Sequence, residues 1–169
     1  MASRTTHFAC NGESVAITVD PRTTAAEAIR EQLGLTGTHV ACQTGVCGTC
    51  TVLVDGEPVR SCLMLAVQLD GSTVTTVEGV GADHADGLHP VQRAFVEHHS
   101  FQCGFCAPGF VLSTVALLEG DEPLDREVIR DALADNLCRC TGYQAIVDGA
   151  TAAAERLGRL DPPAGGVDA

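Results

Sequence analysis

Eight of the nine cysteines in this 169-residue chain fall into two sets whose spacing suits metal chemistry. The first set runs Cys42, Gln43, Thr44, Gly45, Val46, Cys47, Gly48, Thr49, Cys50, with a fourth thiol at Cys62. A C-x4-C-x2-C run with one distant partner is the plant-type [2Fe–2S] ligand pattern. Each iron needs thiolate sulfur, and the loop must turn tightly to bring three sulfurs onto one cluster. Gly45 and Gly48 can take positive φ, leaving room for backbone N–H groups to turn toward the sulfurs. Hydrogen bonds of that kind help set a reduction potential. A zinc loop is the alternative, because C-x2-C is common there. The four-residue gap and the interleaved glycines favour iron.

The second set is Cys103 and Cys106, then Cys138 and Cys140. Each pair sits at a predicted helix end, the first just before a helix opened by Pro108 and the second just after Leu137. If those helices pack antiparallel through the short 119–124 connection, their far ends meet and four thiolates converge. Helix N-termini nearby would favour the thiolate form. A four-cysteine zinc site is the main alternative, although C-x-C is less usual in zinc ribbons. Disulfides and buried structural cysteines are the other two readings. The ninth thiol, Cys10, lies on a predicted strand and reads as a small buried apolar residue.

The elements that must position these sets differ between the halves. Residues 5–9 and 14–19 read as strands around Asn11-Gly12, a type I′ hairpin signal. Thr24 and Glu27 form a capping box, opening a helix with Ala25, Ala28, Ile29 and Leu33 on one face and an end near Gly34. Residues 51–54 and 58–61 pair across Asp55-Gly56, and residues 73–77 make a last strand. From 79 to 89 the glycines, aspartates and Pro90 mark a linker. Four helical segments follow. The first carries Val91, Ala94, Phe95 and His98 on one face. The second, about 108–118, is apolar nearly all round and belongs at the centre of a bundle. Asp125 caps the third, with Val128, Ile129, Ala132, Leu133 and Leu137 inward. The fourth carries Ile146, Ala150, Ala153 and Leu157. The tail after Pro162 reads as disordered.

A net charge of −12 argues against nucleic-acid or anionic-membrane partners. No stretch reaches the roughly 18 apolar residues of a membrane span. No basic region followed by an apolar run opens the chain, so no secretory signal is visible. Clustered thiols without a signal point to metal binding in a reducing, cytoplasmic setting rather than to a disulfide scaffold. His98 and His99 read as surface or partner-facing. No nucleophile–base constellation, G-x-G-x-x-G or P-loop is present, so no catalytic site is expected. Two thiolate sets without acid–base machinery suit one-electron transfer rather than bond chemistry.

Gln102, Cys103, Gly104, Phe105, Cys106, Ala107, Pro108 and Gly109 resemble the second cluster motif of the molybdenum hydroxylases, the xanthine oxidase family. Asn136, Leu137, Cys138, Arg139, Cys140, Thr141, Gly142 and Tyr143 resemble its closing half. The chain is similar to the small iron–sulfur subunit over about residues 5–157. Ser61 through Met64, with Ala66, Val67 and Gln68, resemble the separate-subunit branch that contains carbon monoxide dehydrogenase. Ala107 and Thr49 depart from the pattern, where threonine and alanine are common.

The resemblance implies an α+β fold. Residues 1–79 would be a plant-type [2Fe–2S] ferredoxin-like β-grasp domain, and residues 80–160 a four-helix-bundle [2Fe–2S] domain. It implies two clusters: one on Cys103, Cys106, Cys138 and Cys140 nearer a molybdopterin cofactor, the other on Cys42, Cys47, Cys50 and Cys62 nearer FAD. Cys140 would approach the pterin and Gln102 would hydrogen-bond near it. A molybdenum-binding large subunit and an FAD-binding medium subunit would be the partners, in a dimer of heterotrimers. The rival readings are a stand-alone ferredoxin-like carrier and a zinc-stabilised interaction module.

Overall fold

The computed structural model describes residues 2–160. The tail read as disordered, 161–169, lies outside the described residues. Strands β1 (Arg4–Cys10) and β2 (Glu13–Val19) pair antiparallel. Their turn residues Asn11 and Gly12 have φ of 51° and 83°, the paired positive values a type I′ turn demands. Helix α1 (Ala25–Glu31) opens on the predicted capping box: the Glu27 N–H donates to the Thr24 hydroxyl and the Thr24 N–H to the Glu27 carboxylate, both at 3.2 Å. Strands β3 (Thr51–Val54) and β4 (Glu57–Arg60) form the second hairpin, again with positive φ at Asp55 and Gly56.

Strand β5 covers only Thr73–Thr75, shorter than the expected 73–77. The Thr76 N–H leaves the ladder and donates to the Asn11 side-chain carbonyl at 2.9 Å, which ends the strand. Since β5 runs parallel to β1 and antiparallel to β3, the mixed sheet is ordered β2-β1-β5-β3-β4. A short 3-10 turn at Ala66–Leu69, not expected from the sequence, buries Ala66 and Leu69 beneath the sheet. Phe8, Ile17, Val19, Val52 and Val74 pack against Ala28 and Ile29 of α1. Cys10 is buried in that core, and burial, with Glu78 and Glu13 nearby, pushes its thiol up to about 11.

The second half holds α2 (Pro90–Glu97), α3 (Ala107–Glu119), α4 (Arg126–Leu133) and α5 (Gln144–Arg156). As expected, α3 is the buried centre, with Phe110 and Leu112 inaccessible. The inward stripe of α4 is narrower than the sequence suggests. Only Ile129 and Leu133 are buried there, Val128 is 40% exposed, and Ala132 faces out. Eight residues make about two turns, which give one helix lying on a bundle two inward positions. Leu137 lies beyond the helix and is exposed, as are His98 and Leu157 at the C-caps of α2 and α5. Leu53, on β3, inserts into the helical core and joins the two halves.

Candidate metal centres

The first thiol set gathers where the loop after α1 meets the end of β4. Gly45 and Gly48 have φ of 77° and 72°, the left-handed turns expected from their positions. Cys50 and Cys62 are buried side by side with Ala26, while Cys42 and Cys47 are half-buried. The Ser61 hydroxyl donates to the Cys50 carbonyl at 2.6 Å, and the Ala26 N–H to the Ser61 carbonyl at 3.1 Å. These bonds tie Cys62 to the loop and to α1. N–H groups from Thr44 and Cys47 point at the Cys42 sulfur and hold its thiol down to about 6. Burial pushes Cys62 up to about 11, with Cys50 adding to the rise and the Gly45 N–H opposing it.

The second set assembles at the meeting of α3 with the turn after α4, as the antiparallel packing predicts. The Cys103 and Cys140 sulfurs lie 3.6 Å apart. Cys106, at the N-cap of α3, faces Cys138. Burial raises Cys106 to about 12, helped by that contact. Burial also pushes Cys138 upward, but the Thr141 hydroxyl and the N–H groups of Cys140 and Thr141 outweigh it and lower the thiol. Cys138 and Cys106 are buried, whereas Cys103 and Cys140 are exposed. Gln102 is exposed beside them. The Tyr143 hydroxyl accepts from the Cys138 N–H at 3.0 Å, bracing this turn.

The donor set fits a two-iron cluster. Two thiolates sharing a tetrahedral metal, with metal–sulfur bonds near 2.3 Å, lie about 3.7 Å apart, close to the Cys103–Cys140 separation. The thiols come in twos: Cys42 with Cys47, Cys50 with Cys62, Cys103 with Cys140, Cys106 with Cys138. Two pairs per site is the arrangement that a cluster with two irons and four cysteines requires.

The sites are joined by a seam that the sequence did not disclose. The Leu137 N–H donates to the Cys47 carbonyl at 2.9 Å. Arg60 reaches across to the Asp135 carbonyl at 2.8 Å. Asn136 is buried between the halves; its amide donates to Ser113 at 2.9 Å, and its carbonyl oxygen has no hydrogen-bond partner. That oxygen lies so close to Gly48 that a Cβ there would come within 1.8 Å of it. His39 contacts the backbone of Phe105 from the other half. The signal available for Asn136 and Leu137 was their place next to Cys138; for His39 there was none.

Two gathered thiol sets on a sheet-and-helix frame define an iron–sulfur protein with two cluster-binding units. Residues 8–74 match the family model described as a 2Fe-2S iron-sulfur cluster binding domain, and residues 76–151 match a [2Fe-2S] binding domain. The chain is 46% identical to caffeine dehydrogenase subunit gamma of Pseudomonas sp. (strain CBB1), across 88% of this chain and 89% of that protein. It is 48% identical to the nicotine 6-hydroxylase small subunit of Paenarthrobacter nicotinovorans, across 88% of each. The structure of quinoline 2-oxidoreductase from Pseudomonas putida 86 superposes with a TM-score of 0.87 at 42% identity, covering 94% of this chain and 98% of that one. The chain belongs to the small iron–sulfur subunits of the molybdenum hydroxylases, and its role is electron transfer within such an oxidoreductase.

Proposed function

We propose that Cys42, Cys47, Cys50 and Cys62, in a domain spanning residues 1–79, hold one [2Fe–2S] cluster. Cys103, Cys106, Cys138 and Cys140, in a domain spanning 80–160, hold the other. When bound, such clusters supply one-electron uptake and release. Electrons enter at the Cys103–Cys140 side from a molybdopterin cofactor on a large subunit and leave at the Cys42–Cys47 side toward FAD on a third subunit. Cys140 and Gln102 face the pterin. The complex is a dimer of such heterotrimers in the cytoplasm. Among the described residues no helix is long and apolar enough to cross a membrane.

One observation carries this reading: each thiol set has a buried pair and a more accessible pair, and a backbone hydrogen bond joins the loop of the first set to the turn of the second. The Leu137 N–H to Cys47 carbonyl bond sits one residue from Cys138, so covalent bonds and one hydrogen bond link the two sets. Exposed apolar side chains flank the outer pairs. Val46 and Leu63 are 72% and 61% exposed by the first set, and Phe105 is 45% exposed by the second. These suit covered faces in an assembly. The relatives' names span caffeine, nicotine and aldehydes, which fits an electron path shared by enzymes with different substrates.

The natively purified protein should migrate with larger subunits and contain about four irons and four acid-labile sulfides per copy of this chain, as two [2Fe–2S] clusters require. A lone 17.5 kDa species, or colourless protein carrying zinc, would reverse the assignment. In the assembled complex, Cys50→Ser should leave substrate able to reduce the second cluster, seen by electron paramagnetic resonance. Loss of that signal in an intact complex would show that the direction of the path is wrong.

A further inference from the structure

His39 stands three residues before Cys42, yet its ring does not serve the first thiol set. Its Nδ1 lies 2.8 Å from the Phe105 carbonyl oxygen, 66 residues away in sequence. A carbonyl oxygen only accepts, so Nδ1 carries the proton. The imidazole also stacks on the Phe105 ring, with centroids 4.7 Å apart and planes 13° from parallel. Phe105 is the residue between Gly104, at φ 77°, and Cys106. The peptide unit whose oxygen His39 engages joins Phe105 directly to Cys106. On the other side of Phe105, its own N–H donates to the Cys103 sulfur. One histidine thus grips the turn that presents two sulfurs of the second set.

We infer that His39 is a positioning residue for the second cluster: by holding the Phe105 carbonyl and ring it fixes the turn that presents Cys103 and Cys106, and it thereby raises that cluster's reduction potential. The inference rests on the assignment of Cys103 and Cys106 as ligands. A turn held in this way keeps the Phe105 N–H aimed at the Cys103 sulfur, and a well-aligned N–H is the stronger donor. Stronger N–H donation favours the more negative, reduced cluster. Stacking with Phe105 holds the plane of the turn and keeps His39 aligned. Sequence proximity would assign any effect of His39 to the first cluster; the geometry assigns it to the second.

The test uses the native complex and a redox titration of both clusters by electron paramagnetic resonance. His39→Phe keeps a ring on Phe105 and removes the donor; His39→Gln keeps an amide donor without an aromatic ring. His39→Phe should shift the second cluster's oxidised-to-reduced ratio at fixed potential roughly three- to tenfold toward oxidised, tenfold being about 59 mV for one electron. The first cluster should move less than twofold, and His39→Gln should recover part of the shift. Selective loss of the second cluster in His39→Phe, with the first intact, also supports the inference. It is overturned if neither cluster moves, if the first moves and the second does not, or if Gln and Phe behave alike. A wild-type complex without two clusters would instead remove the electron-transfer assignment, a separate outcome.

Discussion

At Gly48 the demands of backbone and packing coincide. Its φ of 72° is left-handed, and an added Cβ would meet the Asn136 carbonyl oxygen at 1.8 Å and the Asp135 oxygen at 2.9 Å. Gly48→Ala should therefore destabilise the protein by about 2–4 kcal/mol, combining backbone strain with overpacking. Thermal unfolding measures this directly. Adding Asn136→Ala should recover part of the loss, because it removes the nearer clash and leaves the strained φ. Recovery of nothing would mean that packing against Asn136 contributes little. The eight ligand candidates were legible in the sequence because thiolate chemistry constrains their spacing locally. Asn136 and His39 were not, because each acts on a residue far away in the chain, and a single sequence carries no record of that pairing.

At the scale of elements, turns and caps were the most readable features. Asn11-Gly12, Asp55-Gly56 and the Thr24–Glu27 box are chemistry confined to four residues, and all three stand where the sequence placed them. The short β5 and the two-position stripe of α4 were misjudged because what ends them lies elsewhere: Asn11 draws Thr76 from the sheet, and the bundle leaves most of α4 outside. Helix α2 adds a cap that was not foreseen. The Val91 N–H donates to His89 Nδ1 at 3.2 Å, and the His89 N–H donates to Gln92 at 2.8 Å. Burial, and secondarily His84, hold His89 below the usual histidine value. A neutral ring is what the cap needs, so its stability is fully present above the unfolded pKa near 6.5. It is lost as pH falls through the lower folded value. Thermal melts between pH 7.5 and 5 should show a loss of up to about 1 kcal/mol in the wild type. His89→Asn, a cap that does not titrate, should lack that component.

Across the whole molecule the two halves share apolar packing as well as backbone bonds. Leu53 belongs to the sheet by its hydrogen bonds and to the helical core by its contacts. Leu53→Ala should cost about 2–5 kcal/mol, and hydrogen exchange should accelerate in α3 as well as in β3. Acceleration confined to the sheet would show that the halves open independently.

The bond from Leu137 to the Cys47 carbonyl also orders events in time. The ribosome completes the first cysteine loop, with its acceptor carbonyl, well before it makes the turn carrying Cys138 and Cys140. The carbonyl that the closing half of the second site bonds to is therefore in the chain before that half exists. Synthesis thus supplies the acceptor loop before the turn that bonds to it.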